Sequence, residues 1–346
     1  MNHKKILVDS IYLNSEGGKS ILSQFIHYLI ENNTYENYYF LIDKRAKKKD
    51  IVLDRINFEF IEPSENKRKI FYLNNKTKFK SILCFSNVPP PIKLTQNVFI
   101  YFHNTLLLNP INTNLSFYNR AVNLIKKTYI KFLNQKNYQW IVQTELIKKQ
   151  FCNAFSVSDN RIKVFPIFDS NYNNLKLNKG KNRFLYVSNL SKHKNHHKLF
   201  NAFINSASKS DELIELHLTI LEEEYGKSIY SNKIAVKNLK IINHGVLNKT
   251  DLYNLYNLSN FLIYPSLNES FGLPLIESIN NSCKVIAADL EYVNEIIQPS
   301  LKFDPNSESS ISKSILLAVN EKNLNDSKII VENKIDTFVE YISNHV

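Results

Sequence analysis

Residues 260–288 read NFLIYPSLNESFGLPLIESINNSCKVIAA, and this stretch decides the fold. It opens on a short apolar β-type run, 260–264, closed by Pro265, and ends on a second run, 284–288. Between them Gly272 and Pro274 mark a tight turn feeding an apolar helix over 273–281. The proline falls in the first helical turn, where its missing N–H costs nothing. Strand, helix and strand in about 30 residues make one parallel crossover unit.

The same alternation extends outward in both directions. β-type runs recur at 5–9, 38–43, 58–62, 82–86, 98–103 and 139–144, and again at 183–188, 215–220, 239–243 and 300–303. Helical patterns lie between them at 20–31, 115–135, 197–207 and 250–258. Near-continuous apolar strands alternating with helices predict an α/β protein with parallel sheets covered on both faces. The chain has 346 residues, too many for one typical domain. The polar, Asn-rich stretch 169–182 lacks periodicity and divides it. The expected organisation is a first domain over 1–170, a linker over 171–182 and a second domain over 183–325. A helical tail over 326–346 is expected to pack back on the first.

A mean hydropathy of -0.28 argues against global disorder. The apolar runs are far too short to span a membrane, and Asp9 cuts the first of them, against a cleaved signal peptide. Cys84, Cys152 and Cys283 have neither metal-ligand nor disulfide-framework spacing, which fits a reducing cytoplasm.

The net charge of +12 is lopsided. Residues 1–170 hold 25 Lys and Arg against 13 Asp and Glu; the remainder holds 19 of each. Between Glu65 and Glu145 there are 12 basic residues and no acidic one. Within this span Phe117, Tyr118, Ala121, Val122, Ile125, Tyr129 and Phe132 recur near helical spacing, flanked by Arg120, Lys126, Lys127 and Lys131. That is the character of a helix lying on an anionic bilayer. An amphipathic core helix with its lysines in water reads the same way. Cationic loops at 44–49 and 67–69 extend the expected contact with an anionic membrane surface over residues 44–136.

The turn at 270–274 leaves backbone N–H groups free at a helix N-terminus, an anion site reinforced by the helix dipole. Glu269 sits just before it and Glu277 just after. A carboxylate on each side of a phosphate cradle suits a nucleotide-sugar, with hydroxyls at both ends of its diphosphate.

Glu269 and Glu277, with Ser-Phe-Gly-Leu-Pro between them, resemble the Glu-x7-Glu signature of retaining glycosyltransferases of family 4. The resemblance implies a GT-B fold, two Rossmann-like domains whose parallel sheets face an interdomain cleft. It implies a nucleotide-diphosphate sugar as donor substrate, with no metal and no separate cofactor. Ser270, Phe271, Gly272 and Leu273 would then bind the donor phosphates, Glu277 the ribose and Glu269 the sugar hydroxyls. The segment FLYVSNLSKHKN (184–195) resembles the opening of the family's donor domain, with Lys194 on the diphosphate. Ser188 and donor-binding Asn189 stand where the family usually has Gly-Arg, which removes one expected cation. His244-Gly245-Val246 resembles the loop beside the base, with the Val246 backbone at the base edge. Gly17 and Gly18, in the loop NSEGGKS between the first strand and first helix, resemble the family's Gly-Gly loop and would approach the donor. His103, ending the run YFHN, would contact the transferred sugar or the acceptor hydroxyl, making His103, Lys194 and Glu269 the expected catalytic residues.

His193, His196 and His197 interleave with lysines and lack a placed fourth ligand, so they read as a basic helix start, not a metal site. The acidic run 222–224 lacks an Asp-x-Asp pattern and reads as a solvated loop.

The expected function is retaining transfer from a nucleotide-diphosphate sugar to a saccharide or polyprenyl- or other lipid-linked acceptor, in surface polysaccharide or lipopolysaccharide synthesis. The expected place is the cytoplasm, peripheral on the inner face of the membrane. A sugar-nucleotide epimerase of the same architecture, a basic nucleic-acid-binding protein and a non-catalytic partner subunit remain as alternatives. Against nucleic acid, the second half is neutral and carries no recognised binding module.

Overall fold

A computed structural model describes all residues except 1–3, 14, 47–52, 54, 110–116, 171–178, 232–235, 322 and 346. Most of the expected linker and the lysines at 47–49 thus lie outside the described residues. The chain divides into two compact units, one of residues 1–169 with 332–346, the other of residues 170–331.

The first unit runs β1 (Lys5–Ser10), α1 (Glu16–Glu31), β2 (Tyr38–Asp43), β3 (Phe58–Ile61), α2 (Glu65–Asn75), β4 (Phe79–Cys84), β5 (Asn97–Tyr101), α3 (Phe117–Leu133), β6 (Gln139–Val142), α4 (Glu145–Phe155) and β7 (Ile162–Val164). Its seven strands are all parallel, in the order β3-β2-β1-β4-β5-β6-β7. β7 escapes sequence reading because it is three residues long with a lysine at its centre. On one face Phe102, Trp140, Phe151 and Phe155 interlock, with ring centroids as close as 4.5 Å.

The second unit runs β8 (Arg183–Tyr186), α5 (His196–Ala207), β9 (Ile214–Leu218), α6 (Glu222–Tyr225), β10 (Leu239–Asn243), α7 (Lys249–Leu258), β11 (Phe261–Tyr264), α8 (Leu273–Asn280), β12 (Lys284–Ala288), α9 (Glu291–Asn294), β13 (Ile297–Gln298), β14 (Leu301–Phe303), α10 (Glu308–Asn320) and β15 (Lys328–Ile329). Six parallel strands follow the order β10-β9-β8-β11-β12-β14. The acidic run 222–224 forms most of the one-turn helix α6, not a loop.

The tail is not one helix. β15 pairs antiparallel with β13 in the second unit, and only α11 (Ile335–Asn344) is helical. α11 belongs to the first unit, where Phe338 packs on Phe25, Tyr101 and Phe165. Phe338 and Ile342 are fully buried, contributing about 1.5–3 kcal/mol each by removal from water.

Both sheets are Rossmann-like, and each has one point where the strand order reverses. These are β1/β4 in the first unit and β8/β11 in the second. Loops at the carboxyl ends of such strand pairs diverge to opposite faces and leave a ligand crevice.

At the first reversal point the sequence reading needs correction. Residues 67–69 are not a cationic loop but part of α2, and the Arg68 side chain is fully buried. Its Nε donates to Asp9 Oδ2 at 2.8 Å, and its Nη atoms donate to the carbonyls of Pro89 and Val88 at 2.9 and 3.0 Å. Tyr72 donates to the same Asp9 oxygen at 2.7 Å. Arg68 thereby ties β1, α2 and the loop after β4 together.

Candidate active site

The second reversal point is built from two loops. One leaves β8 and carries Ser188, Asn189 and Lys194; the other leaves β11 and carries Glu269 and Ser270. Leu267 N–H donates to the His193 carbonyl at 2.8 Å and joins them. Tyr186 donates to the Lys194 carbonyl at 2.6 Å and lies 3.1 Å from Ser266 Oγ. Asn195, in the left-handed region at φ +60°, donates its amide to the carbonyls of Pro265 and Pro305. These bonds fix the turn that presents Lys194.

Lys194 Nζ meets Glu269 Oε1 at 2.5 Å, with each side chain only 14% exposed. The lysine expected on a diphosphate and the glutamate expected on a sugar are therefore one ion pair.

Beyond Glu269 the chain turns at Gly272, φ +85°, where a side chain would be strained. A Cβ there would also come within 3.1 Å of Leu275. Gly272 caps α8 without a side-chain bond, and Pro274 lies in its first turn. The leading N–H groups thus have no capping side chain. Phe271 and Leu273 are buried and anchor the turn, while Ser270 is half-exposed. Glu277 lies on the second turn of α8, where Tyr256 of α7 donates to its Oε2 at 3.0 Å.

Asn189 and Ser188 are held from behind by His196. Its Nε2 lies 2.8 Å from the Asn189 carbonyl and 3.0 Å from Ser188 Oγ, and its Nδ1 lies 2.9 Å from the Tyr230 hydroxyl. Burial pushes His196 down to about 4, so the ring is neutral. Val246 follows β10 with its side chain 62% exposed, behind Gly245 at φ +67°. Among the described residues no group of three or more His, Cys, Asp or Glu gathers as a metal site.

Residues 168–336 match the family model described as glycosyl transferases group 1. The match takes in a little under half of the chain, and over that part the chain resembles the family. The matched segment holds the Lys194–Glu269 pair, Gly272 and Glu277. Over 198 residues the chain is 24% identical to the O-antigen chain mannosyltransferase RfbU of Salmonella typhimurium strain LT2. That alignment covers 55% of either protein, so the chain spans about half the length of this curated relative. The UDP-glucose complex of Anabaena Alr3699/HepE superposes with a TM-score of 0.67 at 13% identity, over 99% of each chain. WaaG, a glycosyltransferase involved in lipopolysaccharide biosynthesis, superposes with a TM-score of 0.66 at 12% identity, over 91% of this chain and 90% of WaaG. These likenesses show the fold, the two Rossmann-like domains of the GT-B architecture.

The remaining expected residues lie in the first unit, outside the matched segment. Gly17 and Gly18 are not in a loop. Ser15 accepts a hydrogen bond from Gly18 N–H at 3.3 Å and caps α1 one residue before Glu16, so both glycines fall in its first turn. Gly18 is needed for close approach, since a Cβ would come within 2.5 Å of Leu13. His103 follows β5, its N–H donating to Asn87 Oδ1 at 2.7 Å and its Nε2 3.2 Å from Asn87 Nδ2. Burial pushes it down to about 4 and keeps it uncharged.

Sequence reading missed Glu65, which accepts from Tyr12 at 2.7 Å and Tyr129 at 2.5 Å. Tyr12 is held there in the left-handed region, φ +77°. No local pattern signals this, because the partners are 53 and 64 residues from Glu65.

The cationic surface is narrower than expected. Lys44 pairs with Glu62 at 2.6 Å and Arg45 with Asp43 at 2.7 Å. On α3, Asn123, Ile130 and Leu133 are buried. Phe117, Ile125 and Phe132 are 87%, 69% and 83% exposed, and Tyr118 and Leu124 are exposed beside them. This helix turns an apolar face to solvent, against the ordinary inward orientation. Among the described residues, no helix is long and apolar enough to cross a membrane.

Proposed function

We propose that the protein is a retaining glycosyltransferase that moves a sugar from a nucleoside-diphosphate sugar to a saccharide or lipid-linked saccharide. The observation that carries this reading is the Lys194–Glu269 pair at the β8/β11 reversal point, directly preceding the Gly272 turn into α8. A diphosphate arriving there draws the Lys194 ammonium and releases Glu269 to accept from sugar hydroxyls. The N–H groups of residues 270–273 add fixed positive charge where negative charge grows on the leaving group. Glu277, steadied by Tyr256, accepts from the ribose.

As the bond between the anomeric carbon and the phosphate oxygen breaks, the acceptor oxygen bonds to that carbon on the same face. Its proton passes to the departing phosphate. The protein works by position and charge, and Lys194 with the amides supplies the neutralisation without a metal.

The acceptor is a surface polysaccharide or lipopolysaccharide precursor. The names of RfbU and WaaG support this class. The exposed apolar face of α3, flanked by Arg120, Lys127 and Lys131, supports docking on the anionic inner leaflet, where a lipid-linked acceptor is held.

Transfer assays with UDP- and GDP-sugars, read by NMR of the product's anomeric centre, test the reaction. A new glycosidic bond with the donor's configuration is expected, falling more than about tenfold in Lys194→Ala and in Glu277→Ala. Near-normal transfer by both variants would overturn the assignment. An altered sugar nucleotide with no new bond would identify an epimerase.

A further inference from the structure

Three side chains of the second unit, Glu215, His217 and His244, form a hydrogen-bonded chain. Glu215 and His217 are two residues apart on β9 and so share one face of the sheet. His217 Nε2 lies 3.3 Å from Glu215 Oε2, and His217 Nδ1 lies 2.8 Å from His244 Nε2. The two imidazole planes differ by 17° with centroids 5.0 Å apart. With nitrogens this close, the rings meet edge to edge through an in-plane hydrogen bond.

The protons can be placed in order along the chain. Arg183 Nε lies 3.2 Å from Glu215 Oε2, and Lys240 Nζ lies 3.5 Å from Oε1. Burial raises the Glu215 carboxyl. Hydrogen bonds from His217 and Arg183, with the guanidinium charge, outweigh that and hold it below the usual carboxylate range. An ionised carboxylate only accepts, so His217 Nε2 carries its ring's proton. Burial pushes His217 down to about 4 despite Glu215, which leaves Nδ1 as a bare lone pair at neutral pH. The hydrogen between the rings therefore belongs to His244 Nε2. Burial, with Arg183, also lowers His244, so that ring is neutral and its Nδ1 is an acceptor.

His244 immediately precedes Gly245 and Val246, the loop that resembles the family's base-side loop. We propose that Glu215 and His217 lock His244 in its Nε2-protonated form, so that His244 Nδ1 selects the base of the donor. This rests on the nucleoside-diphosphate-sugar reading above and deepens it. Uracil, thymine and guanine present a ring N–H on their pairing edge, which a lone pair accepts. Cytosine and adenine present a ring lone pair there, which leaves acceptor against acceptor. A site built around one hydrogen bond rejects the ligand that lacks its partner. Glu215 and His217 are positioning residues; His244 is the reader.

The test titrates the full chain with UDP, GDP, CDP and ADP, in the wild type and in His217→Leu, and locates the imidazole protons of the wild type by long-range 1H–15N NMR. The wild type is expected to bind UDP or GDP at least about tenfold more tightly than CDP and ADP. In His217→Leu that preference is expected to shrink to about threefold or less, the locked tautomer being lost. The NMR spectrum is expected to place the His244 proton on Nε2. A proton on His244 Nδ1, equal binding of all four nucleotides, or an undiminished preference in His217→Leu would each overturn the proposal alone. Failure of all four to bind would overturn it together with the donor-site reading.

Discussion

Lys194 Nζ lies 2.5 Å from Glu269 Oε1 although 75 residues separate them, because β8 and β11 are neighbours in the sheet. Each charge is mostly shielded from water, so removing one strands the other. Lys194→Met and Glu269→Gln are each expected to lower stability by about 1–3 kcal/mol. The double variant is expected to lose less than the sum, while transfer stays more than about tenfold down. Denaturant unfolding and initial rates on the four proteins check this. Additive losses would mean that the two groups are not coupled.

Arg68 and Asp9 form a pair of a different kind, fully buried and remote from the donor turn in sequence. Arg68→Met is expected to cost about 3–5 kcal/mol, since it leaves the Asp9 carboxylate buried without its cation. Asp9→Asn combined with Arg68→Met should recover part of that loss. Urea unfolding followed by the fluorescence of Trp140, buried in the first unit, reads both effects.

The contrast between these two pairs shows how much the sequence could carry. Glu269 and Glu277 are eight residues apart on one turn-and-helix segment, so local spacing revealed both. Lys194 was marked by the resemblance of 184–195 to the family's donor-domain opening, but its pairing with Glu269, 75 residues away, was not legible. Arg68 looked like a surface cation between Lys67 and Lys69, because its partner lies 59 residues away. Gly17 and Gly18 read as a loop, yet Ser15 caps the chain early and draws them into α1. The alternation of strands and helices was plain, because parallel strands buried on both faces are apolar throughout. The outward face of α3 was ambiguous, since periodicity defines an apolar face without saying what covers it.

Acid should loosen the protein over a defined range. Burial pushes His103, His196 and His217 each down to about 4, from an ordinary value of 6.5. Between those limits the unfolded chain binds protons that the folded chain refuses, so stability falls as pH falls from 6.5 towards 4. These rings have no such effect above 6.5. The loss is expected to be on the order of 2 kcal/mol per ring. A pH series of unfolding midpoints checks it, and His196→Gln should flatten the decline. A decline equally steep in that variant would contradict the neutral assignment of His196.

The apolar face of α3 makes a separate prediction. Vesicles containing anionic lipid should sediment the protein and neutral vesicles should not, with binding weakened by salt. Phe117→Ser with Phe132→Ser should reduce that binding at least about fivefold, while changing unfolding stability by no more than about 0.5 kcal/mol. Equal binding to neutral and anionic vesicles would contradict docking by this face.

The grip proposed for the second unit holds a nucleoside-diphosphate sugar through Lys194, the Gly272 turn and Glu277. A thermal-shift titration with a panel of UDP- and GDP-sugars tests it most directly, because a ligand that binds only the folded state raises the unfolding midpoint. At least one donor is expected to raise the wild-type midpoint in a concentration-dependent way, with the rise lost in Glu277→Ala and Lys194→Ala. No rise with any donor, or an undiminished rise in both variants, would contradict the claim.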